Sequence, residues 1–147
     1  MEGRPDLGDT WVYLGSENPI TGIYQPAAKW AAHNKLLNIY PEAMNSYRPL
    51  HRTHAAVSLM LYADHLGYST AVDDEELLAK MTREHPELTA TECRALTWCY
   101  NHLIISGSGG KLLSVMDGDP TLNRYDMARV IYNFYLYVLS NEPKPSP

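Results

Sequence analysis

A chain of 147 residues fits one ordinary domain and should bury roughly 70% of the surface its unfolded form exposes, so a core without staples is affordable. With 45% hydrophobic residues, 20% charged residues and a formal net charge of -5, the composition is that of a soluble globular protein. No cluster of Lys and Arg is present, which argues against a nucleic-acid binder, and no apolar run reaches the length of a membrane span.

Residues 1–23, with Gly3, Pro5, Gly8, Gly15, Pro19 and Gly22, read as an irregular arm carrying one short apolar run at Trp11, Tyr13 and Leu14. The arm lacks the basic and apolar regions of a signal peptide. The expectation is a cytoplasmic protein if the chain is complete, or a cell-surface one if it belongs to a longer exported protein.

From Pro26 to Ile39, helical spacing of Ala27, Trp30, Ala31, Asn34 and Leu37 predicts a first helix, with Pro26 in its first turn and Pro41 as its stop. A loop closed by Pro49 follows. Ala55, Leu59, Tyr62, Ala63 and Leu66 then mark a second helix that Gly67 ends. Asp73, Asp74, Glu75 and Glu76 open a third, running to about Glu84, because negative charge favours a helix N-terminus.

Thr89 and Glu92 form a capping box that starts a fourth helix, with Cys93, Leu96, Cys99 or Tyr100, and Leu103 on one side. Cys93 and Cys99, six residues apart on that helix, face different ways and are expected as buried thiols, not a disulfide. A Gly-rich turn at residues 106–110 and a polar loop lead to a last helix from about Asn123 to Leu139. Residues 140–147 form a Pro-rich tail expected to be disordered.

The chain carries an internal repeat. His33–Tyr40 aligns with Tyr100–Gly107, matching Asn34 with Asn101 at an offset of 67, and Leu50–Tyr62 aligns with Leu122–Phe134, matching Leu50 with Leu122, Arg52 with Arg124 and His54 with Asp126 at an offset of 72. Insertions of that kind fall in loops between the units of a repeat fold.

The pattern resembles the S-layer homology (SLH) repeat, in which a Trp-bearing helix runs into a Gly-Ile-Ile-x-Gly type turn, a Gly-Asp-Pro loop and a helix opening Thr-Arg-Ala-Glu. The matching stretches are TWCYNHLIISGSGGKL and MDGDPTLNRYDMARVI in one copy, KWAAHNKLLNIY and YRPLHRTHAAVSLML in the other. His51 and Asn123 stand where the motif has Thr, His54 and Asp126 where it has the acid, and the first copy has lost the turn glycines.

The resemblance implies an all-α fold of two tandem helix-loop-helix repeats, residues 24–70 and 71–139, packed as one small helical domain. It further implies a non-catalytic module docking onto an anionic bacterial cell-wall polysaccharide. The residues implied at the ligand are Arg52, Arg124, Trp30, Trp98, Asp126 and Gly107. An arginine at a helix start can meet a carboxylate bidentately while neighbouring backbone N–H groups favour the same anion, and an aromatic face suits the sugar ring.

The competing expectation is a protein-binding or inhibitor module, possibly a homodimer, with Ile131, Phe134, Tyr135 and Val138 as an apolar stripe on the last helix. No cofactor is expected. His51 and His54 at i, i+3 lack a third metal ligand. The run containing Asp117, Asp119, Asn123 and Asp126 lacks the central Gly and terminal Glu of a calcium loop.

Overall fold

The computed structural model describes residues 25–36, 49–105 and 121–143. The chain divides into two compact units, Met1–Arg48 and Pro49–Pro147. Among the described residues the first unit holds α1 (Gln25–His33); the second holds β1 (Leu50–His51), α2 (Arg52–His65), α3 (Glu75–Glu84), α4 (Ala90–Asn101), β2 (Thr121–Leu122) and α5 (Arg124–Ser140). The described residues are therefore predominantly helical, in keeping with the sequence periodicity. The N-terminal arm, the Gly-rich turn with Gly107, the Asp117 and Asp119 loop and residues 144–147 lie outside the described residues.

The helix starts follow local chemistry. Asp74 caps α3 by accepting from the Leu77 amide at 2.9 Å. Thr89 and Glu92 make the full reciprocal box on α4: the Glu92 amide donates to Thr89 Oγ1, and Glu92 Oε2 accepts from the Thr89 amide at 2.8 Å. Asn123 caps α5 through the Asp126 amide at 2.9 Å. His51 precedes α2 in extended backbone without a side-chain cap.

Three helices end in the same way. After α1, α2 and α4 one residue takes a left-handed conformation, at Lys35 (φ 60°), Gly67 (φ 84°) and Leu103 (φ 57°). Its amide donates back to Ala32, Asp64 or Tyr100, and the next amide to Ala31, Ala63 or Cys99. This is the paired C-terminal cap that normally selects glycine. It stops α1 at His33, six residues short of Ile39. The Asn34 side chain reinforces the stop by donating to the Trp30 carbonyl at 2.9 Å. Equating these caps sets Trp30 against Trp98, an offset of 68 where sequence comparison drew 67.

In the second unit α4 is the central element, packed against α2 and α3. Cys93, Ala95, Leu96, Thr97, Trp98 and Cys99 are all buried. The facing side of α2 presents Thr53, Ala56, Val57, Met60 and Ala63, and not Leu59 and Leu66, which are only half-buried. Alanine lets the backbones approach, so that Cys99 Sγ lies 3.8 Å from the Ala56 carbonyl. Thr97 is satisfied within its own helix by donating to the Cys93 carbonyl at 2.7 Å. Met81 is the buried anchor of α3.

The strands β1 and β2 form a two-residue antiparallel ribbon in which Leu50 faces Leu122 and His51 faces Thr121. α2 and α5 each start within two residues of it; of the buried residues of α5, Tyr137 meets Trp98 and His102 at the end of α4 and Phe134 stacks on Tyr62 of α2.

The left-handed leucine gives a stability test. An L-residue in this conformation costs about 1–2 kcal/mol, and glycine recovers that less its larger unfolded-state entropy. Leu103→Gly is expected to raise stability by about 0.5–1 kcal/mol, read from the urea midpoint, whereas Leu103→Ala gains nothing from backbone relief.

Candidate functional site

The two motif arginines occupy equivalent places. Arg52 is the first residue of α2 and Arg124 the first of α5, each following a ribbon strand. Arg124 is exposed and makes no ion pair among the described residues, while Arg52 is half-buried. Asp126 is drawn to its own helix, with its carboxylate 3.5 Å from Arg129. His51 and His54 hold their rings 5.2 Å apart, and no group of three metal-ligating side chains occurs among the described residues.

The tryptophans are separated by their surroundings. Trp30 belongs to α1 in the first unit and is partly exposed. Trp98 is fully buried, with its indole N–H donating to the Ser69 carbonyl at 3.1 Å. It has no ring face to offer a sugar; it is the largest side chain of the core. A tryptophan on a Trp-bearing helix pattern can serve either role, and the deciding partners, Ser69 and Tyr137, are remote in sequence.

Around Trp98 the structure assembles an aromatic group that sequence reasoning missed. Tyr137 meets Trp98 edge-on with centroids 5.3 Å apart, and His102 lies 4.7 Å from Tyr137 and 5.2 Å from Trp98. Tyr68 lies 5.8 Å from Tyr137. The hydroxyls are tied to backbone: Tyr137 donates to the Ser69 carbonyl at 3.3 Å, and Tyr68 to the Val138 carbonyl at 3.4 Å. Asn133 of α5 also donates to the Ile104 carbonyl at 3.3 Å.

Two cavities flank this group. One of about 370 Å³ is lined by Asn101, His102, Leu103, Asn133, Leu136, Tyr137, Ser140 and Asn141. The other, of about 110 Å³, lies against Tyr68, Ser69, Asp73, His102, Tyr137 and Glu142. His102, Tyr137 and Asn141 belong to both walls.

Burial lowers the His102 pKa from the ordinary imidazole value, opposed in part by the negative charge of Asp73. Burial also raises that of Tyr137, with Tyr68 adding to the effect. The thiols of Cys93 and Cys99 are both pushed up, mainly by desolvation.

Among the described residues the most exposed apolar surface is on α5. Tyr125, Ile131, Tyr132, Tyr135, Leu136 and Leu139 are all exposed, Tyr125 by 79%. Of the stripe expected from sequence, Ile131 and Tyr135 lie on this face. Phe134 is instead buried, stacked 5.8 Å from Tyr62, and Val138 is half-buried.

Comparison with protein-family models, with curated proteins and with solved structures finds no match.

The lowered His102 pKa fixes a direction for pH dependence. Below the ordinary imidazole value the unfolded chain binds a proton that the folded chain resists, so this contribution is full above that value and is lost as pH falls from it through the lower folded-state value. The thermal midpoint is expected to fall between pH 7.5 and 5.5, and His102→Gln to flatten that slope in a melting series.

Proposed function

We propose that the chain is a non-catalytic interaction module whose contact surface is the outer face of α5, occupied by a second copy of the same chain. The observation that carries this reading is the pattern of exposure along α5. Tyr125, Ala128, Tyr132, Tyr135 and Leu139 are exposed at successive spacings of three, four, three and four, the seam of a paired helix, with Ile131 and Leu136 beside it.

No charged residue occurs from Val130 to Asn141, although the whole chain carries -5. Such an uncharged face lets two copies of an acidic protein meet without bringing like charges together, and a face of regular spacing can meet itself about a two-fold axis. A 17-residue helix is only roughly 25 Å long, which makes the contact smaller than a standard interface and the association correspondingly weak. Sedimentation equilibrium is expected to show a concentration-dependent monomer–dimer balance, abolished by Tyr132→Glu with Tyr135→Glu at unchanged helicity. A wild type that stays monomeric at millimolar concentration overturns the reading.

A second reading keeps the resemblance to SLH modules, with two tandem units and an anionic cell-wall glycan as ligand. The pairing of Leu50 with Leu122 favours it, because these residues are equivalents in the repeat and each leads into a helix that opens on the motif arginine. Its ligand would be held by Arg52, Arg124 and the adjacent helix N-termini, without Trp98. Binding to purified cell walls, reduced severalfold or more by Arg124→Ala, is the expected outcome; sedimentation that is absent, or unchanged by that substitution, removes this reading.

A further inference from the structure

We propose that the paired cavities around His102 and Tyr137 bind an alkylammonium group, the head of a small amine or a lysine side chain. Four independent features of the walls favour a cation. First, the charged residues that line them, Asp73 and Glu142, are both acidic, and no ion pair among the described residues neutralises either. Second, the C-terminal ends of two helices line the larger cavity, α4 through Asn101 and its cap His102, α5 through Ser140 and its cap Asn141. A helix C-terminus carries up to about half a negative charge; here the Cys99 and Tyr100 carbonyls are taken by cap amides and the Tyr137 carbonyl by the Asn141 side chain, so the charge that remains is smaller.

Third, the half-buried Tyr68 lines the smaller cavity, its ring packed 5.8 Å from that of the buried Tyr137, and an aromatic ring attracts an ammonium placed over its face. Fourth, the rings are held before any ligand arrives. Both hydroxyls are spent on backbone carbonyls, and Trp98 is fixed behind them by its own hydrogen bond to Ser69. A preformed site loses little ordering entropy on binding.

The lowered pKa of His102 agrees with this chemistry, since a neutral imidazole does not repel the incoming charge. The groups facing it are Trp98 of its own helix, Tyr137 of α5 and Asp73 of the connection into α3. The smaller volume suits a compact charged head. The 110 Å³ chamber carries both carboxylates, while the 370 Å³ chamber offers Leu103 and Leu136 for methylenes and the amides of Asn101, Asn133 and Asn141 for polar substituents. Leu103 stands at the mouth, 72% exposed, in the left-handed backbone described above.

The test is a titration of the full chain at pH 7.5 with 1,5-diaminopentane, with 1,5-pentanediol as the neutral control, followed by NMR at the Trp98 indole N–H and the His102 ring. Saturable shifts with the diamine and none with the diol are expected. Asp73→Asn combined with Glu142→Gln, both exposed positions, should weaken the diamine at least tenfold while circular dichroism stays unchanged.

A short peptide with one lysine, compared with the same peptide acetylated on the lysine amine, separates the sources: tighter binding of the free diamine identifies a small amine, and tighter binding of the peptide identifies a lysine side chain. Repeating the titration in the Tyr132→Glu, Tyr135→Glu protein keeps this result apart from self-association. Equal response to diamine and diol, or an unchanged affinity in the double variant, overturns the proposal.

Discussion

The close approach of α4 to α2 is the constraint on which the second unit depends. Ala56 and Ala63 on one side and Ala95 and Cys99 on the other are small enough for side-chain sulfur to touch backbone, and α4 is consequently enclosed over most of its circumference. Such a helix cannot carry unpaired polar groups. The buried Glu92 is held by the Thr89 amide and hydroxyl, both at 2.8 Å, and Thr97 by the Cys93 carbonyl. A capping box ordinarily contributes about 0.5–2 kcal/mol; here it also gives a buried carboxylate its partners.

With α4 fixed, Trp98 fixes the rest. Its indole N–H and the Tyr137 hydroxyl share the Ser69 carbonyl, which ties the connection after α2 to the last helix. α5 thus sits with Phe134 and Tyr137 inward, and its remaining aromatic residues have nowhere to go but out. The same placement leaves the gaps on either side of His102. The exposed seam and the lined cavities are two outcomes of one packing decision.

Much of this was legible in the residues. The Thr89–Glu92 pair marks a helix start because its side chains have a fixed geometric task, the acidic run through Asp74 marks another by its charge, and Gly67 marks an end because a residue without Cβ enters left-handed backbone freely. Lys35 and Leu103 do not, since a side chain in left-handed backbone carries no sequence sign; periodicity alone therefore extends α1 beyond His33 and puts Leu103 on the helix face. The orientation of α5 was half visible. Periodicity grouped Phe134 with Ile131 and Tyr135, yet only the stacking on Tyr62 decides which edge of that stripe turns inward. The group around His102 is hidden because Tyr68, Ser69, Asp73 and Tyr137 come together from across the chain, and nothing in the pattern around Trp98 distinguishes a buried ring from an exposed one.

The two cysteines make the protein a reporter of its own opening. Cys93 and Cys99 are buried free thiols, both held in the protonated, unreactive form, and they lie on the helix most deeply enclosed. A thiol reagent meets them only when α4 separates from α2 and α3, and the nucleophilic thiolate forms readily only once water reaches the sulfur. The rate at which such a reagent is consumed therefore counts excursions of the central helix in the unaltered chain, without a label or a substitution.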